Sequence, residues 1–252
     1  MKVDLEGKTA IVTGGGTGIG KAISVGLAKN GAAVVVNYSK SKAEAEQTVS
    51  EIADAGGRAV AVQADVTVED QVSGLVDRAV SELGGLDILV ANAGGRTIDA
   101  PSTELTRDQW SDGFDLNCTS AFLCVKQAAP RLADGSGRIV LTSSISARSG
   151  AGPGMVIYAA AKGALNNMTR NWAKEFAPRG ITVNAIAPGI IRTRLHEQFT
   201  PPDDYKKLIE RIPLGRDGLP EDCVGAVLLF ASEAGSFITG QILEINGGMA
   251  MP

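Results

Sequence analysis

The sequence predicts an α/β fold, a doubly wound parallel sheet of about seven strands with helices on both faces. Short β-branched runs alternate with longer segments of helical periodicity, which is the order expected of strand–helix–strand crossovers. The strand-like runs are continuously apolar, as in parallel strands that are covered on both faces. A glycine-rich segment joins the first strand to the first helix, which favours close backbone packing at that turn.

Seven strands and seven helices are predicted in alternation. The strands are 9–13, 33–37, 58–64, 87–91, 138–142, 182–186 and 241–245. The helices are 18–30, 41–55, 69–83, 107–133, 157–177, 203–211 and 220–231. No proline- or serine-rich linker divides the chain, so residues 1–252 are expected to form one domain. The segment 192–218 breaks the rhythm with three prolines and is expected to cover the site as a lid.

Composition argues against several classes of protein. The formal net charge is −4 with no long basic run, which argues against nucleic-acid binding and against anchoring to anionic lipid. No signal peptide is expected, and the longest apolar stretch, around 223–231, is too short to span a bilayer. Cys118, Cys124 and Cys223 are too few and odd in number for a disulfide framework. We therefore expect a cytoplasmic protein.

His196 is the only histidine, and this limits the possible chemistry. A zinc enzyme needs clustered His, Cys or carboxylate ligands, and none is evident, so no metal site is predicted. A Ser-His-Asp hydrolase would have to use His196, and no G-x-S-x-G turn is present to hold its serine. Proton transfer must therefore use another side chain or this single histidine.

The glycine-rich segment 13–20 reads T-G-G-G-T-G-I-G, with Gly14, Gly18 and Gly20 in a G-x-x-x-G-x-G spacing. Small residues there let the backbone approach a pyrophosphate, whose charge is stabilised by the N-terminus of the following helix. The alternative is a tight strand–helix turn without a ligand, because a glycine cluster alone is weak evidence.

Two polar segments end strands at the same edge of the predicted sheet and support a nucleotide site there. Asp65-Val66 ends the third strand and Asn92-Ala93-Gly94 ends the fourth. Open α/β sheets bind ligands at this carboxyl edge. The Asp65 carboxylate could hold an adenine amino group, or it could cap the following helix unless Thr67 does so.

Tyr158 and Lys162 form a Y-x-x-x-K pair one turn apart on a helix. An ammonium beside a phenol favours the phenolate, so Lys162 is expected to lower the tyrosine pKa from its ordinary value of about 10. Such a tyrosine could transfer a proton without a histidine. The alternative is an exposed surface pair. Tyr38 and Lys42 share the spacing, but they straddle a strand end and a helix start.

Together these motifs resemble the short-chain dehydrogenase/reductase family over nearly the whole chain. The pattern is closest to its 3-oxoacyl-carrier-protein reductase-like and glucose or sugar dehydrogenase-like members. The matching segments are T-G-G-G-T-G-I-G at 13–20, A-D-V at 64–66, A-N-A-G at 91–94, Asn117, T-S-S-I-S at 142–146, Y-A-A-A-K at 158–162, P-G-I-I-R-T at 188–193 and G-Q-I-L-E-I-N-G-G at 240–248. The resemblance implies a Rossmann fold and an NAD(P)-dependent oxidoreductase acting on CH–OH or carbonyl groups.

The resemblance implies four catalytic residues. Tyr158 would be the acid in reduction and the base in oxidation, and Lys162 would tune it and bind the nicotinamide ribose. Ser144 would orient the substrate oxygen, with its neighbour Ser143 as the alternative. Asn117 would hold a water that links Lys162 to solvent, or it could instead cap a helix.

The predicted cofactor-binding residues come from the same motifs. They are Gly14, Gly16, Thr17, Gly18, Ile19, Asn37, Ser39, Lys40, Asp65, Val66, Asn92, Ala93, Gly94, Tyr158, Lys162, Pro188, Gly189, Ile191 and Thr193. An acid after the second strand would favour NAD. Asn37 is neutral there, and Ser39 and Lys40 can donate hydrogen bonds to a 2′-phosphate. The predicted cofactor is therefore NADP, with NAD as the alternative.

The sequence leaves two substrate classes open, a 3-oxoacyl group on a carrier protein and a sugar or polyol. A polar mouth for a sugar would use Arg96, Arg148, Arg192, Arg194 and His196. Arg131 and Lys174 fall where carrier-protein reductases have basic residues, so they are expected near the cleft. A nucleotide-sensing protein without turnover is the alternative from another class. The resemblance also implies a homotetramer.

Overall fold

Seven parallel strands form one sheet in the computed structural model, which describes residues 3–193 and 199–251. The strands are β1 (Thr9–Val12), β2 (Ala33–Tyr38), β3 (Arg58–Gln63), β4 (Ile88–Ala91), β5 (Arg138–Thr142), β6 (Thr182–Pro188) and β7 (Ile242–Ile245). Their order across the sheet is β3-β2-β1-β4-β5-β6-β7, and every neighbouring pair is parallel. The predicted fold class is confirmed. Because chain order reverses between β1 and β4, a crevice opens at their carboxyl ends.

Helices cover both faces of this sheet. They are α1 (Gly18–Lys29), α2 (Lys42–Asp54), α3 (Glu69–Leu83), α4 (Arg107–Phe114), α5 (Ser120–Ala128), α6 (Ser146–Ser149), α7 (Val156–Phe176), α8 (Pro202–Glu210) and α9 (Val224–Ala231). The single helix predicted at 107–133 is wrong in detail, since a π-helical turn at Asp115–Thr119 separates α4 from α5 and a 3₁₀ turn follows α5. The one-turn helix α6 was not predicted, because four residues are too few for a periodic signal.

Alternate strand residues build two cores, one on each face of the sheet. Ile11 of β1 and Val35 of β2 pack on the side of α3, α5 and α7. Val12 and Val36 pack on the side of α1, α2 and α9. Every residue of β4 is buried, which explains why such strands are continuously apolar in sequence.

Side-chain hydrogen bonds hold together the two ends of the segment 192–218 that follows β6. Arg192 donates two hydrogen bonds to Asp217, from Nε at 2.8 Å and from Nη2 at 2.9 Å. The Tyr205 hydroxyl of α8 donates to the same carboxylate at 2.8 Å. Arg194 and His196 lie outside the described residues, and coverage of the site by 192–218 stays a prediction. No helix in the described ranges is long and apolar enough to cross a membrane.

Candidate active site

A cavity of about 650 Å³ opens at the carboxyl edge of the sheet, where β1, β4, β5 and β6 end. It is lined by the glycine turn after β1, the segment after β4, the end of β5, one face of α7 and the segment after β6. The predicted site residues that line it are Gly14, Gly16, Thr17, Gly18, Ile19, Asn92, Ala93, Gly94, Ser144, Tyr158, Lys162, Pro188, Gly189, Ile191 and Thr193. The fold therefore brings most of the predicted site together.

Six predicted site residues are not among those that line the cavity. They are Asn37, Ser39, Lys40, Asp65, Val66 and Asn117. Gly20, Arg96, Thr142 and Ser143, which the sequence analysis named in motifs or as alternatives, also line it. Five further lining residues lie outside every motif and role named from the sequence, namely Lys21, Glu44, Gln47, Gly95 and Leu116. Lys21 lies one turn into α1 from the glycine segment, a spacing that could have identified it. Glu44 and Gln47 reach the cavity only because α2 packs on the glycine turn, which no local pattern indicates.

The glycine turn after β1 is packed without room for side chains. A Cβ atom at Gly20 would lie 2.6 Å from Asn92 Nδ2 and still closer to the Gly14 carbonyl oxygen. A Cβ atom at Gly16 would meet the backbone of Ala45 at 2.8 Å. The Thr13 hydroxyl accepts hydrogen bonds from the backbone N–H groups of Asn92 and Ala93, both at 2.9 Å.

This packing leaves a cradle that fits the pyrophosphate of a dinucleotide. Thr17 is the N-cap of α1 and its side chain makes no capping hydrogen bond. The first N–H groups of a helix have no partner within that helix, and they favour an anion. Gly18 leaves the approach to them open. The residues present therefore fit the phosphate part of a nicotinamide cofactor.

Asn37 lies near the end of β2, beside the glycine turn. Its side chain is buried, and Nδ2 donates to the carbonyl oxygens of Val62 at 3.3 Å and Ala64 at 3.0 Å. Its Oδ1 accepts from the Gly14 N–H at 3.2 Å. These bonds hold the side chain against the glycine turn and β3, and its place beside a 2′-phosphate stays a prediction. Ser39, two residues later, is exposed.

Asp65 makes a local turn after β3. Its Oδ1 accepts hydrogen bonds from the Thr67 N–H at 3.0 Å and from the Thr67 hydroxyl at 2.7 Å, and these bonds lower the pKa of Asp65. The N-cap of α3 is Val68, so neither Asp65 nor Thr67 caps that helix as the alternatives proposed. The carboxylate is partly exposed at the same edge as the cavity.

Tyr158 and Lys162 lie in the first two turns of α7. The apolar face of this helix, which includes Leu165 and Trp172, packs on the core and fixes the direction of both side chains. The second Y-x-x-x-K pair is not part of the site. Tyr38 is buried at the end of β2, whereas Lys42 is exposed and paired with Glu46 on α2.

Burial shifts both of these ionisable groups away from their charged forms. It raises the pKa of Tyr158, while a hydrogen bond from Ser144 and the charge of Arg96 act in the opposite direction. Burial lowers the pKa of Lys162 from 10.5 to about 8. The ammonium donates to the Thr142 carbonyl oxygen at 2.7 Å and lies 5.7 Å from the centroid of the Tyr158 ring.

The expectation that Lys162 would lower the tyrosine pKa is therefore wrong for the cofactor-free chain. Burial of the phenol, which raises the pKa of Tyr158, is the largest of these effects, and Lys162 is not among the groups that lower this pKa. The cations and donors that do oppose it are Arg96 and Ser144. Lys162 is instead a buried lysine whose proton is held weakly near neutral pH.

The two candidate serines after β5 have different surroundings. Ser144 makes a hydrogen bond with Tyr158. Ser143 donates to Asn166 Oδ1 at 2.6 Å and to the Lys162 carbonyl oxygen at 3.3 Å, which ties β5 to α7. Only Ser144 is therefore bonded to the phenol.

Asn117 lies in the π-helical turn between α4 and α5 and is fully buried. Its Nδ2 donates to the carbonyl oxygens of Gly95 at 2.7 Å and Gly113 at 2.9 Å, and its Oδ1 accepts from the Gly95 N–H at 2.9 Å. It is therefore not a helix cap. A Cβ atom at Gly94 would lie 2.8 Å from Asn117 Oδ1 and 3.0 Å from Lys162 Nζ, so these two groups flank the same glycine.

The polar mouth predicted for a sugar is only partly present. Arg96 lines the cavity. Arg148 and Arg192 do not line it, and Arg192 is committed to Asp217. In the described ranges, one of the five predicted residues thus lines the cavity, and Arg194 and His196 fall outside these ranges.

The basic pair predicted near the cleft lies elsewhere. Arg131 follows α5 and pairs with Asp77 of α3 at 2.8 Å, and Lys174 lies in the last turn of α7. Both helices run toward the amino edge of the sheet because each precedes a parallel strand. Lys174 is therefore about 24 Å along the helix from Tyr158 at 1.5 Å per residue. The prediction that these residues border the cleft of the same chain is wrong.

Comparisons with known proteins identify the family of this fold and cavity. A family model described as Enoyl-(Acyl carrier protein) reductase matches residues 14–250. The 3-oxoacyl-[acyl-carrier-protein] reductase of Synechocystis sp. is 40% identical over 249 residues, which is 98% of each chain. The chain belongs to the short-chain dehydrogenase/reductase family. It is therefore an oxidoreductase of CH–OH or carbonyl groups, as predicted from the sequence.

Two solved structures of short-chain dehydrogenase/reductases extend this comparison. A short chain dehydrogenase from Burkholderia cenocepacia, in complex with NADP, is 38% identical with a TM-score of 0.91 and covers 97% of this chain and 98% of its own. A 7α-hydroxysteroid dehydrogenase, in complex with NADH and 7-oxo glycochenodeoxycholic acid, is 37% identical with a TM-score of 0.93 and covers 98% and 96%. The family uses NAD or NADP.

Proposed function

We propose that this protein is an NADP(H)-dependent ketoreductase that reduces a 3-oxoacyl group to the 3-hydroxyacyl group. The observation that carries the proposal is the position of Tyr158, Ser144 and Lys162 in one cavity with the glycine cradle. The similarity to a 3-oxoacyl-[acyl-carrier-protein] reductase over 98% of both chains supports the substrate class.

In this proposal the bound nicotinamide supplies the hydride for the carbonyl carbon. Tyr158 donates its phenol proton to the carbonyl oxygen, which becomes the hydroxyl of the product. At neutral pH the phenol keeps its proton, as an acid in reduction must. Burial raises the pKa of Tyr158, so the groups that favour release of the proton are Ser144 and Arg96, which act in the opposite direction. Ser144, hydrogen-bonded to the phenol, holds the carbonyl oxygen at the same point.

Lys162 and Asn117 restore the proton of Tyr158 after each turnover. The pKa of Lys162, about 8, lets its ammonium release and regain a proton near neutral pH. Its Nζ and Asn117 Oδ1 both lie beside Gly94, and in this proposal a water there links Lys162 to solvent. Lys162 would also hold the ribose of the nicotinamide, with Ile191 and Thr193 on the carboxamide side.

The preference for NADP is supported by the charges near the glycine turn. Lys21 lines the cavity, and Ser39 and Lys40 are exposed just beyond β2, the strand whose end lies beside this turn. An acid that would bind the adenosine ribose hydroxyls of NAD is absent from positions 37–41. Asn37 contributes indirectly, because it fixes the turn on which these residues stand.

We also propose a homotetramer in a reducing compartment such as the cytoplasm. Trp110, Phe122 and Val156, on α4, α5 and α7, are large apolar side chains exposed to solvent in the single chain. Phe237 and Leu243 form a second exposed apolar set near the C-terminal strand. Association through both sets would bury them. The described cysteines are free thiols, as expected in a reducing compartment.

A carbonyl panel run with NADPH and with NADH tests the proposed function. The expected result is reduction of 3-oxoacyl thioesters, with a higher kcat/KM for NADPH than for NADH. Activity restricted to sugars or polyols would replace the substrate class. Tight nucleotide binding without turnover of any carbonyl would favour a nucleotide sensor and contradict the proposal.

A further inference from the structure

Arg96 is a cation inside the cavity that the proposed mechanism does not use. It follows Gly94-Gly95 after β4 and lines the cavity together with Tyr158. Only 9% of its side chain is exposed. A guanidinium that is so little exposed costs desolvation free energy, so its retention in the cavity calls for a partner.

Two neighbours hold the guanidinium in one orientation. Arg96 Nε donates to Asp99 Oδ1 at 3.0 Å, and Nη2 faces the second oxygen of the same carboxylate. The guanidinium carbon also lies 4.9 Å from the centroid of the Phe199 ring. A group fixed in this way loses little conformational entropy when it binds a ligand.

Arg96 keeps donors that the protein does not satisfy. A guanidinium carries five N–H bonds, and this carboxylate can take two of them. Among residues 3–193 and 199–251, the Arg96 side chain donates to Asp99 alone. The remaining N–H groups are therefore available to an acceptor in the cavity.

The guanidinium and the Tyr158 hydroxyl act on the same space. The charge of Arg96 is close enough to favour the phenolate of Tyr158. Because Arg96 and Tyr158 line one cavity of about 650 Å³, a ketone whose oxygen is bonded to Tyr158 occupies the same cavity as the guanidinium. A second oxygen on the substrate would find a donor there.

The ion pair with Asp99 determines which kind of oxygen fits. Asp99 already neutralises the guanidinium, and a substrate carboxylate would also be repelled by the Asp99 carboxylate. An uncharged carbonyl oxygen gains the hydrogen bond without this repulsion. We infer that Arg96 is a specificity-determining residue that binds a second, uncharged carbonyl oxygen of the substrate, so that 3-oxo esters and thioesters are preferred over simple ketones and over 3-oxo acids. This inference rests on the proposed ketoreductase function.

A pair of substrates of equal length tests the inference. Ethyl 3-oxobutanoate has the second carbonyl and heptan-2-one lacks it, while both have seven chain atoms. In Arg96→Gln, kcat/KM for the ester is expected to fall by about 10- to 100-fold, the value of a hydrogen bond to a charged group. The ratio of ester to ketone activity is decisive, since any effect through the Tyr158 pKa acts on both substrates alike and cancels.

Arg148→Gln is the matched control, because Arg148 is a half-exposed arginine that does not line the cavity. Its ester-to-ketone ratio should equal that of the wild type. Asp99→Asn gives a second variant if Arg96→Gln does not fold. It removes the neutralising carboxylate, so activity on 3-oxobutanoate should rise relative to the ester.

Each other outcome overturns the inference. An equal loss on the ester and the ketone would make Arg96 a structural residue and leave the proposed function intact. An unchanged ratio in both variants, or a wild-type preference for the 3-oxo acid, would also overturn it. No turnover of either ketone by the wild type would overturn the inference and the proposed function together.

Discussion

The two halves of the cavity are built in opposite ways. On the side of β1 and β2, the centre of the surface is the backbone of the glycine turn, where Gly16 and Gly20 contact other main-chain atoms, and Lys21 and Glu44 also line this side. On the side of β5 and α7, the surface is made of ionisable side chains whose pKa values are moved by burial, Tyr158 upward and Lys162 downward. The first half therefore binds the cofactor through its shape, and the second half acts on the substrate through ionisable groups.

Because of this difference, phosphate binding depends on the half beside β1, and proton transfer depends on the half beside α7. Backbone N–H groups and a helix N-terminus bind phosphate without a titrating protein group, so binding of the pyrophosphate by the glycine turn should depend little on pH. Lys162 and Tyr158 should give the catalytic side a pH dependence and an energetic cost in the free protein. Substitutions in the two halves can therefore be distinguished by what they change.

The largest expected effect is on the side of β1. Gly20→Ala would place a Cβ atom against the Gly14 carbonyl and Asn92, so the turn must move. Cofactor affinity, measured by titration of tryptophan fluorescence or by calorimetry, should fall by about 100-fold or more. The matched control is Gly74→Ala, because Gly74 is a helical glycine of α3 with open space around it.

The control substitution Gly74→Ala should leave cofactor affinity unchanged and stabilise the protein by about 0.5–1 kcal/mol. Equal cofactor affinity in Gly20→Ala and wild type would refute recognition by shape.

An intermediate effect is expected on stability in the catalytic half. Burial penalises charged Lys162, so Lys162→Met should raise the unfolding free energy of the cofactor-free protein at pH 7 by up to about 3 kcal/mol. Above pH 8 the folded protein loses this proton while the unfolded chain keeps it up to the ordinary value of 10.5. The penalty therefore disappears as pH rises through this window.

Urea unfolding of wild type and Lys162→Met at pH 7 and pH 10 measures this dependence. The stability difference between the two proteins should be largest at pH 7 and several-fold smaller at pH 10, where the unfolded lysine is beginning to lose its proton. A difference that is the same at both pH values would contradict a buried, weakly protonated lysine.

The smallest expected effect concerns the cofactor preference. Lys40→Glu should lower the ratio of kcat/KM for NADPH to that for NADH by about 10-fold, because it reverses a charge next to the expected 2′-phosphate. Lys42→Glu is the control, since Lys42 is similarly exposed but pairs with Glu46 on α2. A wild type that prefers NADH, or equal ratios in both variants, would contradict the assignment of NADP.

The sequence predicts the strands and the sheet class well because continuous apolar runs reflect burial on both faces. The sequence also predicts which segments line the cavity, because these segments follow strands whose carboxyl ends meet at one edge of the sheet. It does not predict the π-helical turn at Asn117, because that turn depends on side-chain bonds to residues 95 and 113. The inward direction of Asn37 likewise depends on bonds to a neighbouring strand.

The position of Lys174 could have been predicted more accurately. A helix that precedes a parallel strand runs back toward the amino edge, so the last turn of α7 must be remote from Tyr158. The shifted pKa of Lys162 could not have been predicted from the sequence, because it depends on how completely α7 covers the ammonium. The local sequence pattern thus indicates which residues come together in the cavity, whereas the packing around them determines their pKa values.

The central claim is that proton transfer belongs to one half of the cavity and binding of the cofactor pyrophosphate to the other. Tyr158→Phe tests it most directly, with cofactor affinity and turnover measured on the same preparation. The account predicts an unchanged cofactor Kd and a fall in turnover of about 10²–10⁴-fold. Tyr38→Phe, at the second Y-x-x-x-K pair, should retain the cofactor Kd and the turnover of the wild type. Near-normal turnover in Tyr158→Phe, or a loss that follows lost cofactor binding, would contradict the claim.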